Sequence, residues 1–321
     1  MVTTDGAKVC RRQNRLVVWS PDGELLASVP AFQVTRVLMA GSVKVTSPTL
    51  MFLLRQGVPV SFIDGLGRPV GTLIPHQDQS VFAQMRQLQA VQDPDICLDL
   101  SRRIVVGKIH NQAALLSRRA HWADSRTLRS SARSLRVRAE KAGKAETVDE
   151  ARGHEGAAAA LYFRALLPLL AVGGYEHRDR AGNDVSNALI NYCSGILREQ
   201  VRGAILSAGL HPGLGFLHDA GPARPSLAFD LMEEWRPILV EGVVASLLGL
   251  KRIQPADLEL RFGRRQLTSD ARHRTVERFH RKLSAVAPSS DRSLGEILHG
   301  QPRALSHHLS GGPTYQPFQW T

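Results

Sequence analysis

One change of hydrophobic period divides this chain, and it limits the fold more than any other feature of the sequence. From Arg15 to about Ile74 apolar residues come in short runs broken by turn residues: RLVVW, the turn SPDGE, LLASVP, and later VPVSFID before GLG. Such runs are strands joined by tight turns. TSPTLMFLLRQG reads as a short helix among them, with a Ser/Thr cap before Pro48 and Gly57 just past the last turn. Gly65, Gly67 and Gly71 follow a strand but serve a turn, since they lack the opening helix that a dinucleotide fingerprint requires. From about Leu98 nearly everything has helical character, from LDLSRRIVVGKIHNQAALLSRRA through the Ala/Leu-rich EGAAAALYFRALLPLL to stretches near 184–208, 226–250 and 270–285.

The expected fold class is therefore α+β. A small N-terminal mainly-β domain occupies residues 1–75. Residues 76–97, rich in Gln and Asp, form a linker with one helical stretch. A larger all-α domain covers 98–304, and residues 305–321 form an irregular tail. No internal repeat is visible. A chain of 321 residues buries enough surface to need neither metal nor disulfide merely to hold a core. Its three cysteines, Cys10, Cys97 and Cys193, are far apart and odd in number, which excludes a disulfide framework or a thiolate zinc site and fits a reducing cytoplasm. The start MVTTDGAKVCRRQNR has no apolar signal segment, and the longest apolar stretches, such as Leu166 to Val172, fall far short of a membrane span. The expectation is a cytoplasmic protein with no membrane partner.

The formal charge of +12 favours a polyanion, with nucleic acid as the first candidate. It is unevenly spread. Residues 101–144 hold twelve lysines and arginines against Asp124 and Glu140, and residues 261–282 hold eight against two acids. Arg129, Arg133 and Arg136 can share one helix face, where their repulsion costs stability unless phosphates or distant carboxylates offset it. Whether the two basic segments face the same way is not fixed by the sequence.

Candidate chemistry gathers elsewhere. Glu155 opens the least polar helix, and through Ala159, Tyr162 and Leu166 its position continues the apolar stripe. A carboxylate there is costly unless a cation compensates, although a first-turn residue favoured by the helix dipole would look the same. His218 ends the loop LHPGLGFLH, and Asp230 and Glu233, three apart in SLAFDLMEEW, share a helix face. An imidazole with two or three carboxylates is a mixed N/O set suited to Mg²⁺ or Mn²⁺, ions that bridge phosphate oxygens. A structural loop histidine remains open on spacing alone. His273, Glu277 and His280 form a competing set, but in a helix crowded by arginines and without HExxH order. No GxSxG, Walker sequence or CxxC occurs, so serine hydrolase, P-loop ATPase and thiol redox readings fall away.

These residues carry a resemblance to the CRISPR-associated endonuclease and integrase family that inserts new spacers into CRISPR arrays. It runs over nearly the entire chain: RLVVWSPDGELLASVP through VPVSFIDGLG, RRIVVGKIHNQAALLSRR with Lys108 and Asn111-Gln112, EGAAAALYF, LGFLH and SLAFDLMEEWRP. The resemblance implies that the helical domain is catalytic, that Glu155, His218 and Glu233 bind the metal, Mg²⁺ or Mn²⁺, and that Asp230 is a neighbouring acid also needed for activity. It further implies a homodimer joined through the β domains and a small CRISPR-associated partner of spacer acquisition. The implied reaction is transesterification, in which the 3′-hydroxyl of a short DNA fragment attacks a phosphodiester at the leader–repeat boundary. Lys108, Arg129, Arg133, Arg136, Arg264 and Arg265 are the candidate DNA contacts. Two other readings stay open: a general metal-dependent nuclease of repair or defence, and a non-catalytic DNA-architectural protein. The second has no reason to gather Glu155, His218 and Glu233 in one place.

Overall fold

The computed structural model describes residues 1–34, 36–75, 80–171, 174–179, 183–222, 224–261, 263–288 and 290–320, with the backbone alone of Ser80, Arg261 and Arg264. The N-terminal part is built from two sheets. β1 (Lys8–Arg12), β2 (Arg15–Trp19) and β3 (Leu25–Pro30) form an antiparallel meander, and the short β5 (Lys44–Val45) joins β1 in parallel, giving the order β3-β2-β1-β5. β4 (Val37–Ala40) runs parallel to β6 (Val60–Ile63), which pairs antiparallel with β7 (Pro69–Leu73). The expected helix is α1 (Ser47–Arg55), with Pro48 in its first turn.

All four residues of β4 are buried, because both faces of its sheet are covered. Alternation sends Val37 and Met39 into a small core with Val9, Leu16, Val18, Leu53 and Val60. Leu38 and Ala40 point the other way, with Ile63, into the large core of the helical part. The sheet is thus a wall shared by two cores.

The helical part begins with α2 (Ser80–Val91) and α3 (Pro94–Ala123). Asp93 caps α3 by accepting from the backbone of Asp95 and Ile96, and Pro94 fits the first turn, where no N–H is needed. The helical region therefore starts before Leu98, and within the expected linker only residues 76–79 lie outside the described residues. α4 (Arg126–Ala142) turns Leu128, Ala132 and Leu135 inward and its arginines outward. α5 is Val148–Leu170, and α6 (Val185–Ser207) runs through the core, with Leu189, Ile190, Cys193, Ile196 and Leu197 fully buried. α7 (Ser226–Met232) leads through a short turn into a π-helical segment, Arg236–Glu241, and then α8 (Gly242–Gly249). α9 (Ser269–Leu283) and α10 (Leu294–His308) follow.

Three expectations need correction. The helical part is not all-α: β8 (Leu258–Arg261) and β9 (Arg264–Leu267) form a hairpin with Gly263 at φ 72° in its turn, a signal masked by the surrounding arginines. α5 starts at Val148, capped by Thr147, so Glu155 lies two turns inside the helix and not at its opening. The tail is ordered by packing. α10 runs to His308, Tyr315 and Trp320 are buried, and Phe318 stacks on Trp235 with centroids 4.7 Å apart. Asn111 of α3 pins it, donating to the carbonyls of Glu234 (2.7 Å) and Phe318 (2.8 Å) and accepting from the Trp320 N–H (2.7 Å).

The two parts meet at backbone distance. A Cβ on Gly195 of α6 would stand 1.8 Å from the Gly67 carbonyl oxygen, and Arg36 donates to the Glu199 carbonyl at 3.0 Å. Gly195→Ala is therefore expected to cost about 3 kcal/mol, the upper end for overpacking. Gly249→Ala, whose Cβ would meet nothing within 4 Å, should cost nothing. Urea unfolding of the two variants checks the contrast.

Candidate active site

Lys108 lies on the stripe of α3 that also buries Ser101, Ile104, Gln112 and Leu115. A lysine on that stripe must meet an anion, and it meets two. Its ammonium pairs with Glu155 of α5 and with Glu233, which follows α7. The two carboxylates thus share one cation, which holds the paired oxygens within about 6 Å of each other, twice the length of a charge-assisted hydrogen bond. Burial works to raise the Glu233 carboxyl, but Lys108 and Arg236, with a smaller contribution from His218, outweigh it and hold it below the ordinary carboxylate range. Burial works to lower the Lys108 ammonium, and Glu233 and Glu155 outweigh it in turn. Lys108 and Glu233 are both held in their charged forms.

Arg236 completes the balance. Half-buried beside Glu233, it also pairs with Glu241 at 3.5 Å, and these two acids hold its pKa above the ordinary value despite burial. Spacing gave no sign of this cation, because its role depends on the π-helical turn that follows it.

Asp230 does different work from Glu233. Fully buried, it accepts from the backbone N–H of Phe216 (2.6 Å), Leu217 (3.1 Å) and His218 (3.0 Å), and its Oδ1 lies 2.7 Å from His218 Nδ1. These four hydrogen bonds occupy both oxygens, so Asp230 shapes the LGFLH loop and is a positioning residue, not a member of the acidic pair. Since a carboxylate only accepts, Nδ1 carries a proton, and in the neutral imidazole this tautomer keeps the lone pair on Nε2. Gly215 is required here: a Cβ would sit 2.8 Å from Asp230 Oδ2. Glu234, next in sequence to Glu233, faces the opposite way. It accepts from the Tyr315 hydroxyl at 3.0 Å and from Gln301 and the Phe318 N–H, and burial pushes its carboxyl up to about 8.

The structure thus brings Glu155 and Glu233 together around Lys108, with His218 close enough to act on the Glu233 charge. Among the described residues no three His, Cys, Asp or Glu side chains close on a common point, and this holds for His273, Glu277 and His280 as well. The chemistry still fits a divalent ion. Glu233 Oε2 is buried and takes the charge of Lys108 without a well-aligned hydrogen bond, and carboxylates with an imidazole are the kind of donors such an ion takes.

The expected DNA contacts divide. Arg129, Arg133 and Arg136 lie exposed on α4, Arg129 paired with Asp124 and Arg136 donating to Ser117 Oγ at 2.9 Å. Arg265 is exposed on β9, and the Arg264 side chain is outside the described residues. Lys108 is 8% exposed and spent on the acids, so it presents no free cationic surface.

A strand-rich N-terminal part followed by a mostly helical part is also the fold of a solved CAS1 protein from Thermotoga maritima (TM-score 0.79, 22% identity, 98% of this chain and 97% of that one). Residues 1–281 match the family described as CRISPR associated protein Cas1, and the chain belongs to that family. It is 36% identical to CRISPR-associated endonuclease Cas1 1 of Thermus thermophilus, covering 99% of this chain and 98% of that one. Among solved structures it resembles a chain of a Cas6-RT-Cas1–Cas2 complex (TM-score 0.79, 24% identity, 99% of this chain and 36% of that one). It also resembles a casposase bound to integration product (TM-score 0.79, 19% identity, 98% and 91%). No helix among the described residues is long and apolar enough to cross a membrane.

Asp230→Ala would leave the buried backbone N–H groups of Phe216 and Leu217, and the part-buried one of His218, without their acceptor. It should lower unfolding stability by about 3 kcal/mol or more, whereas Glu155→Ala, which leaves Lys108 paired with Glu233, should cost far less. Denaturant titration separates the two.

Proposed function

We propose that the chain is a metal-dependent DNA endonuclease and integrase that joins the 3′-hydroxyl of a short DNA fragment to a phosphodiester at the leader–repeat boundary of a CRISPR array. The observation that carries this reading is the pair of carboxylates, Glu155 and Glu233, folded around a cation beside an imidazole whose Nε2 is free. An architectural DNA-binding protein has no use for anions gathered in this way. The names of the relative and of the casposase, an endonuclease and an integration complex, support the same chemistry. The complex with Cas2 supports a small acquisition partner, and a cytoplasmic homodimer joined through the β parts completes the reading.

Glu155, Glu233 and His218 would hold Mg²⁺ or Mn²⁺. When bound, the ion supplies charge that polarises the phosphodiester and stabilises the leaving 3′-oxygen. The protein's own part is positional. Asp230 fixes the imidazole tautomer and direction, Arg236 keeps Glu233 ionised under burial, and Lys108 keeps the two acids together before the ion arrives. Alignment of a hydroxyl with the phosphorus matters more here than acid–base strength. The exposed arginines of α4 supply affinity for the DNA backbone, independent of sequence.

Replacing Lys108 by Met leaves the buried Glu233 facing the half-buried Glu155 without a cation between them, and breaking such a pair costs about 3 kcal/mol. Mn²⁺ should restore much of that loss in the variant, and its effect on thermal unfolding should be larger there than in wild type. If Mn²⁺ stabilises neither, the acids do not hold the ion.

Integration differs from hydrolysis in being reversible, since one phosphodiester replaces another. With a half-integrated branched DNA labelled on the target strand, wild type in Mn²⁺ should return a resealed full-length strand and Glu155→Ala should not. Shortened fragments alone would favour the general nuclease.

A further inference from the structure

The two basic segments of the sequence meet in space. Arg118 and Arg119, near the end of α3, and Arg278 and Lys282, on α9, line a single cavity of about 210 Å³ that also touches α8 and the tail. Its lining contains no carboxylate. The cations are held in place by neutral partners: Arg119 donates to the Gly242 carbonyl at 3.2 Å and Arg278 to Ser246 Oγ at 2.7 Å. Arg118 and Lys282 lie over the Trp320 ring at 4.5 and 4.0 Å.

This is not the general condition of arginines on α9. An adjoining cavity is equally rich in them, but there Arg274 pairs with Asp257 at 2.5 Å and Asp270 at 3.0 Å, and Arg281 pairs with Glu277 at 2.6 Å. The first cavity has no such balance. Burial, followed by repulsion from Arg118, Arg278 and Arg119, brings the Lys282 ammonium down to about 8, and burial with Arg278 lowers Arg119. Like charges gathered without acids weaken the fold. At the rim stands Trp122, 84% exposed.

We propose that this cavity binds a backbone phosphate of a single DNA strand, with a base of that strand stacked on Trp122. Two fixed guanidiniums and an ammonium suit the oxygens of a phosphodiester. An exposed indole can stack only on a base whose face is free, as in a single strand or a frayed end. Arg118 lies ten residues beyond Lys108 on α3, roughly 15 Å along the helix at 1.5 Å per residue. The cavity is therefore separate from the acidic pair but within a few nucleotides of it, and it would hold the strand on one side while the acids act on it. The proposal rests on the reading of the chain as a DNA-acting enzyme.

The test measures binding of a short oligothymidylate to the full chain in EDTA, by intrinsic fluorescence and over a range of salt. Trp235 and Trp320 are buried and the half-buried Trp19 lies at the end of β2 in the N-terminal part, so quenching should come chiefly from Trp122 and should be lost in Trp122→Phe. In Arg278→Gln/Lys282→Gln the slope of log affinity against log salt should shrink by about 1.4, two contacts on a single strand at 0.7 each. Lys282→Gln alone should melt no lower than wild type, since it relieves repulsion, whereas a purely structural lysine would lower the melting point. Unchanged slope and quenching in these variants would overturn the proposal. So would displacement of the oligonucleotide by micromolar inorganic phosphate, which would mark a site for a free anion. Because no metal is present, strand binding that responds to these variants would stand even if wild type failed to reseal branched DNA, so the two readings can fail separately.

Discussion

The ammonium of Lys108 between Glu155 and Glu233 is the interaction on which the geometry of the candidate active site depends. It joins α3, α5 and the turn after α7 through charge, in a place where charge without a partner would be prohibitive. Two carboxylates held this close repel each other, so the folded chain needs a cation there at all times. The lysine lets the protein fold without any metal. A divalent ion held as proposed would have to displace the ammonium, so folding would not depend on the ion, unlike that of small metal-dependent domains that are unfolded without theirs.

Around this centre each neighbouring residue has a single task. Asp230 is fully engaged with a loop and an imidazole, Glu234 with the tail, and Arg236 with Glu233 and Glu241. Three acids within five residues thus end in three environments, because the helix ends after Met232 and a π-helical segment begins at Arg236. The tail contributes indirectly. By closing on Trp235 and Asn111 it fixes the turn that aims Glu233. The sheet wall acts at longer range, where the close approach of Gly67 and Gly195 fixes α6 against the N-terminal part.

Much of this was legible in the sequence, for identifiable reasons. The strands of the N-terminal part were readable because short apolar runs and turn residues are local signals, as in RLVVW and VPVSFID. α4 and α6 were readable from period. The hairpin at Leu258–Leu267 was hidden because its charge pattern resembles that of the helix that follows. The order of the tail was not readable, since Tyr315 is held by Glu234, and Phe318 and Trp320 by Asn111, all distant in sequence. Spacing and resemblance pointed to Glu155, His218 and Glu233 but gave Asp230 and Lys108 other work. Lys108 could have been read as buried from its place on the α3 stripe. Nothing local reveals that Asp230 is saturated by backbone N–H groups from a loop twelve residues earlier.

The central claim is that the place now held by the Lys108 ammonium is a metal site. Crystals of the full chain grown with Mn²⁺, measured for anomalous scattering at the manganese edge, test it directly. The account expects one strong peak bounded by Glu155, Glu233 and His218 Nε2, with the Lys108 ammonium moved off the acids. Manganese bound only elsewhere, with Lys108 still bridging the two carboxylates at saturating metal, would contradict it.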